Sequence, residues 1–335
     1  MANVEKNQVA AQKSSKEMLK KFRPFIMFLG LFVLLFLLID VVQLGNDSGK
    51  FIFLDGSNII NVLNQITMNA IIAIGMTLVI MVEGIDLSVG SIVAAGGVLL
   101  SILYADLQLA VPVGIIIVMI AGLGIGFING IIISKLRLPA FVVTMATMLI
   151  FRGFAMLMVN GQAKFIPGSE FKQIGNENAF GFLPWSVVVM ILAFVVFHLL
   201  LNNTKFGRQI YVIGGNEETA LLSGIKVVPL KTWTYMISSM AAALSGCLLA
   251  SRLGSGSPNV GTNYELDAIA AAILGGTSLS GGVGTMIGTI AGALIIGILN
   301  NAMNLLGLSS YWQYVAKGLV ILVVVVLDRK SHVKK

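Results

Sequence analysis

Apolar residues run in long stretches along this chain rather than recurring on one helical face. Phe25–Ile39, Val111–Ile133 and Gly318–Leu327 are nearly unbroken. A helix in a water-soluble core keeps a polar stripe toward solvent, whereas a helix crossing a bilayer core of about 30 Å needs roughly 20 predominantly apolar residues. The pattern predicts spans at 25–42, 59–82, 88–105, 112–134, 139–159, 184–201, 230–251, 265–276, 283–305 and 311–327. The expected fold class is an all-α polytopic membrane protein of about ten transmembrane helices. Two spans depart from the rest: 265–276 is short, and 59–82 opens with Asn61, Asn64 and Gln65. Either fits a broken or re-entrant helix, provided the irregular backbone is buried in protein.

Composition agrees. Of 335 residues, 57% are hydrophobic and 11% charged, less than half the roughly 25% charged share of soluble domains. Glycine is frequent, and Gly122, Gly126 and Gly130 stand four apart, as do Gly284, Gly288 and Gly292. Each series makes a smooth stripe where another backbone can approach closely; tight packing and a surface that slides during movement both fit. Cys247 is the only cysteine, which leaves no internal disulfide and no cysteine-based metal site.

Charge sets the expected orientation. Lys13, Lys16, Lys20, Lys21 and Arg23 precede the first span, and Arg329, Lys330, Lys334 and Lys335 follow the last. Basic flanks stay cytoplasmic, so both termini are expected to face inward and the number of crossings to be even. Lys135, Arg137, Lys205, Arg208, Lys226 and Lys231 then fall inside, while 43–58, 106–110 and 160–183 carry no basic excess. Position therefore accounts for the net charge of +7 without nucleic acid. The chain divides into a basic segment 1–24, a transmembrane domain 25–327 with a cytoplasmic loop at 202–229, and a basic tail 328–335. The first apolar run reads as a retained helix, since no small-residue cleavage site follows it.

Gly126-Phe-Ile-Asn129 recurs as Gly297-Ile-Leu-Asn300, an offset of 171 residues, and Gly75 meets Gly246 at the same offset. With one gap, Leu138-Pro-Ala-Phe141 aligns with Leu308-Ser-Ser-Tyr311. In the expected topology the two copies run in opposite directions, so two inverted halves, a common transporter construction, stand against chance matches in glycine-rich helices.

Enzyme chemistry has little material. His198 and His332 are the only histidines, too few for a histidine metal site or triad. No Gly-x-x-x-x-Gly-Lys-Ser/Thr loop is present, and Gly281-Gly-Val-Gly284 has no lysine after it, so the chain cannot itself be an ATP-hydrolysing subunit. No cofactor or metal is expected. Glu83, Asp86, Arg152, Asp267 and Lys317 lie within or beside apolar segments, where ionisable groups are costly and often functional. Glu83-Gly-Ile-Asp-Leu-Ser88 reads as a helix-to-helix turn in which Asp86 caps the helix beginning near Ser88. Arg152 and Lys317 either face a polar interior or snorkel.

Asn69, Asn129, Thr144, Thr147, Asn300, Asn301, Asn304 and Gln313 punctuate otherwise apolar helices. An unpartnered hydroxyl costs about 4–8 kcal/mol in hydrocarbon, so a route for a polyhydroxylated cargo needs such a lining. The same amides equally serve as helix-to-helix bonds. Tyr311 and Trp312 fit an interfacial belt or a stacking surface at a pore mouth. In the 202–229 loop, Asn216 is a good N-cap, Glu217 and Glu218 suit a positive helix end, and Gly224 suits a stop. A short helix over 217–223 outside the bilayer is expected, and a surface helix that short is marginal unless it docks on something.

Several of these segments together carry a family likeness. Gly84-Ile-Asp-Leu-Ser-Val-Gly90-Ser91, the Gly207-Arg…Gly214-Gly215-Asn216 stretch, Tyr264-Glu-Leu-Asp-Ala-Ile-Ala270 with Leu274-Gly-Gly-Thr-Ser278, and Asn300-Asn…Asn304 followed by Ser309-Ser-Tyr-Trp-Gln313 resemble the permeases of ribose-type ABC sugar importers. The likeness runs from about residue 25 to about residue 328. It implies a ten-helix fold with cytoplasmic termini and a homodimer of permeases. It also implies an extracytoplasmic sugar-binding protein on one side and a cytoplasmic ATPase with two nucleotide-binding domains on the other. Glu218-Thr-Ala220-Leu-Leu-Ser-Gly224 looks like the family's Glu-Ala-Ala-x-x-x-Gly coupling segment, with Thr219 in place of the first alanine. The ATPase-coupling residues so implied are Gly214, Gly215, Asn216, Glu217, Glu218, Ala220 and Gly224. Met76-Thr-Leu-Val-Ile with Gly-Ile-Asp-Leu-Ser-Val-Gly90 looks closest to the ribose branch. An ion-coupled secondary sugar transporter is the alternative, since inverted repeats and discontinuous helices suit it too.

Overall fold

The computed structural model describes residues 30, 33–35, 37–41, 52–166, 170–179, 181, 183–309, 311–320 and 322. The terminal segments 1–24 and 328–335, with their lysines and arginines, lie outside the described residues, as do parts of the first and last predicted spans. A π-helical turn, Leu37–Val41, is followed by α1 (Gly56–Met81), α2 (Val89–Ala105), α3 (Val111–Leu136) and α4 (Ala140–Met158). Then come β1 (Lys164–Phe165), α5 (Glu170–Asn176), β2 (Asn178–Ala179), β3 (Leu183–Pro184), α6 (Trp185–Asn203), α7 (Lys205–Gly215) and α8 (Glu217–Leu222). The chain continues with α9 (Val227–Leu253), β4 (Ser255–Gly256), α10 (Tyr264–Leu274) and α11 (Met286–Leu305), and residues 311–320 are again helical. Among the described residues the strands make two antiparallel pairs, β1 with β4 and β2 with β3, and six helices, α1, α3, α4, α6, α9 and α11, are long and apolar enough to cross a bilayer.

The polar start of α1 does not break it. Asp55 caps the helix by accepting from the Ser57 N–H at 3.1 Å. Asn58 exchanges amide hydrogen bonds with Asn301 of α11 at 3.1 and 2.8 Å. Asn64 accepts from the Ser186 hydroxyl at 2.9 Å, and its carbonyl accepts from Arg252 at 3.1 Å. Neighbouring helices satisfy these groups, so the expectation of a broken segment at 59–82 gives way to one continuous helix. Segment 265–276 is short as expected: the 11 residues of α10 rise about 16 Å, roughly half a bilayer core.

α1 packs on α10 and α11, while α9 packs on α2 and α3, so each long helix lies against the other group's short and third helices. Glycine makes the second contact close. Cβ atoms at Gly122, Gly126 and Gly130 would run into α9 at Ser239, Tyr235 and Thr232. Cβ atoms at Gly288 and Gly292 would meet the α10 carbonyls of Gly275 and Ala271. The α3 stripe, and Gly288 and Gly292 of the other, are thus buried packing seams. Both short helices start after irregular chain, 82–88 before α2 and 254–263 before α10. There the chain crosses itself: a Cβ at Gly90 would meet the Gly261 carbonyl and the Glu265 carboxylate, and one at Gly261 the Gly90 carbonyl.

Candidate functional site

The sequence-predicted coupling residues lie in and beside two consecutive short helices, α7 and α8. Thr204 caps α7 by accepting from the Gly207 N–H at 3.2 Å. α7 buries Ile210, Ile213 and Gly214, and a Cβ at Gly214 would strike the Met81 carbonyl and Gly282. The Gly282 N–H donates to that same Met81 carbonyl at 3.0 Å, and the Tyr211 hydroxyl donates to the Gly284 carbonyl at 2.8 Å. α7 thus seats on the end of α1 and the α10–α11 turn, and burial pushes the Tyr211 phenol pKa up.

Asn216 ends α7 and caps α8, its side chain accepting from the Thr219 N–H at 2.7 Å. Glu217 and Glu218 occupy the first turn, where the helix dipole favours negative charge. Ala220 is buried, and Lys231 of α9 pairs with Glu217, so α8 is fastened to the body on one side. Its other side carries Leu222, 85% exposed. Gly224 follows at φ +78° with open space around it; there glycine serves a left-handed helix exit rather than a close contact. Gly215 also has open space around it.

The turn residues Gly84, Asp86, Ser88 and Gly90 lead inward to a second cluster. Asp86 accepts from the Ser88 N–H at 3.0 Å and from the Ser88 hydroxyl. These groups lie on the residue ahead of Val89, and Ser88 makes no side-chain cap bond of its own. Asp86 therefore takes up the free N–H of Ser88, the residue from which α2 starts, as expected from the sequence. The Asn129 amide donates to the Ser88 hydroxyl at 3.1 Å, and the Thr147 hydroxyl donates to Asn129 at 2.6 Å. Thr144 donates to the Ile85 carbonyl at 3.1 Å. A relay of donors, Thr147 to Asn129 to Ser88 to Asp86, ties α4 and α3 to the start of α2.

The remaining polar residues fall into other sets. Asn69 donates to Asp267 at 3.3 Å, and Lys317 pairs with Asp267 at 2.8 Å. Asn301 pairs with Asn58, and Gln313 donates to Asn304 at 2.7 Å. Asn300 is buried, its side-chain oxygen without a partner among the described residues. Seven of the eight residues expected to line one route fall into separate hydrogen-bonded sets within this chain, Asn300 standing apart. Arg152 reaches the carbonyls of Pro258 and Val260, both at 2.6 Å, so it faces protein. Tyr311 and Trp312 are exposed.

Sequence reasoning passed over three groups. Asp40 is fully buried and accepts from the N–H groups of Ile52, Phe53 and Leu54 at 2.9, 2.7 and 3.2 Å; an aspartate ending an apolar run was the available signal. Tyr235 and Ser238, on α9, are buried beside the Asp86 turn, Tyr235 against Gly84 and Ser238 against Asp86. Nothing local marks them, because only folding brings 235 to 84. Among the described residues no three His, Cys, Asp or Glu side chains converge on a possible metal position.

A protein family described as "Branched-chain amino acid transport system / permease component" matches residues 58–325. The ribose import permease protein RbsC of Bacillus subtilis (strain 168) is 46% identical over 308 residues, 90% of this chain and 93% of that protein. RbsC of Haemophilus influenzae is 42% identical over 91% of this chain and 94% of its own length. The L-arabinose transport system permease protein AraH of Escherichia coli (strain K12) is 39% identical, covering 81% of this chain and 82% of its own length. No solved structure matches.

Proposed function

The chain belongs to the family of branched-chain amino acid transport system permease components, and we propose that it is the membrane-spanning permease of an ATP-driven importer of ribose. The observation that carries this reading is the 46% identity to a ribose import permease across nine-tenths of the chain. The relatives named for arabinose are less similar, which favours ribose among the pentoses. ATP hydrolysis belongs to a separate cytoplasmic subunit with two nucleotide-binding domains. A sugar-binding protein delivers cargo on the opposite side, and two copies of this chain form the conduit in a bacterial inner membrane.

The fold supports a finer reading. The order long helix, short helix, long helix occurs as α1–α3 and again as α9–α11, with α9 starting 171 residues after α1 and α10 and α11 starting 175 after α2 and α3. We read the chain as two inverted halves with ten crossings and both termini cytoplasmic. α8 then faces the ATPase, presenting Leu222 while Ala220 and the Glu217–Lys231 pair anchor it. Closure of the nucleotide-binding domains pushes α8, and α7 passes the push to α1 and the α10–α11 turn through Gly214 and Tyr211. The intramembrane amides and hydroxyls supply the polar contacts along the route.

The test is ribose uptake into proteoliposomes holding this chain, with and without its ATPase, binding protein and ATP. Uptake that needs all three is expected; uptake by this chain alone under an ion gradient would replace the reading with the ion-coupled one. In the same assay Gly224→Val is the probe of α8. A β-branched residue at φ +78° costs about 1–2 kcal/mol of backbone strain and redirects the chain leaving the helix. ATP hydrolysis is expected to persist while uptake falls; equal uptake by the variant would remove α8 from the coupling path.

A further inference from the structure

Between α8 and the body of the protein lies a cavity of about 670 Å³, inside the range of about 300–1,000 Å³ typical of small-molecule sites. Its lining includes Glu83, Arg137, Glu218, Leu221, Lys231 and Tyr235. Lys231 is held by Glu217, whereas Glu83, Glu218 and Arg137 make no ion pair among the described residues. Tyr235 closes the inner end of the cavity, its hydroxyl buried against Gly84, another wall residue.

Glu83 (φ 60°) and Arg137 (φ 52°) are the left-handed exits of α1 and α3, so two helix ends and the α8 segment meet around this cavity. The charge pattern then selects the ligand. An anion meets Glu83 and Glu218, and a cation meets Arg137 and Lys231. A neutral polyol satisfies both kinds of group at once, its hydroxyls donating to the carboxylates and accepting from the guanidinium.

We propose that this cavity is a release-side binding site for a neutral monosaccharide, and that sugar held there fastens α8 to the body and slows further turnover. The proposal deepens the transport reading and rests on it for the cytoplasmic placement of α8. Glu218 and Leu221 lie on α8, while Glu83, Arg137 and Tyr235 lie on the body, so one bound sugar bridges the part that moves and the part that stays. Turnover is then reported back through cargo accumulated on the release side.

The experiment uses the full chain in lipid nanodiscs, without binding protein, titrated calorimetrically with D-ribose. Saturable binding is expected. Arg137→Gln should weaken it by about tenfold or more, the worth of a charge-assisted hydrogen bond, and Tyr235→Phe by less. Glu83→Gln provides a second wall variant, and thermal unfolding of each variant separates a lost site from a lost fold. In the assembled transporter, ribose on the ATPase side should slow uptake by the parent and slow the Arg137→Gln variant less at equal concentration. No saturable binding, or equal binding by well-folded variants, overturns the site. Uptake by the parent is measured first: ATP-dependent uptake without release-side binding refutes the cavity alone, whereas absent uptake refutes the transport reading.

Discussion

The two short helices are held by different chemistry. Around α2 the groups are mostly neutral: Thr147, Asn129 and Ser88 pass donors to one acceptor, Asp86, and Thr144 bonds the Ile85 carbonyl. Around α10 they are ionic: Asp267 takes Lys317 from the last described helix and Asn69 from α1. Asp267 and Lys317 are both largely shielded, their side chains 4% and 20% exposed. An isolated buried charge costs far more than an isolated hydroxyl. Removing Lys317 would strand the Asp267 charge, whereas removing the Thr147 hydroxyl would cost Asn129 one neutral bond.

That contrast has a steep test. Lys317→Met leaves Asp267 buried with only Asn69 and should destabilise the protein by about 3–5 kcal/mol, read as a lower unfolding midpoint in detergent. Adding Asp267→Asn should restore most of the loss, because no stranded charge remains. A single variant that unfolds with its parent would show that the pair does not fix the last helix. Arg152→Met comes next, since it strips charged donors from the Pro258 and Val260 carbonyls. About 2–3 kcal/mol is expected, with earlier proteolysis in the 254–263 segment as its local signature. Thr147→Val, nearly isosteric, removes one neutral bond from Asn129 and should cost about 1 kcal/mol. A loss as large as that of Lys317→Met would erase the distinction between the two sides.

Local signals were legible in the sequence and distant ones were not. The stretch Asn216-Glu-Glu…Gly224 specified a cap, a charged first turn and a left-handed exit, because each depends on neighbours a few residues away. The apolar runs located the long helices for the same reason, and the shortness of 265–276 was visible by counting. The polar start of α1 misled, since the partners of Asn58 and Asn64, namely Asn301, Ser186 and Arg252, lie more than a hundred residues away in the chain. Tyr235 and Arg137 carry no mark of a shared cavity until α3, α8 and α9 are assembled. The polar residues could be enumerated from the sequence, but their division into separate bonded sets required the fold.

The crossing at Gly90 and Gly261 carries a consequence for inheritance. Each glycine's carbonyl occupies the space a side chain on the other would need. A mutation at one cannot be relieved by trimming its neighbour, because the neighbour has nothing left to trim. The two codons, so far apart in the gene, therefore behave as one heritable position, and any lineage that enlarges either must move two backbones at once.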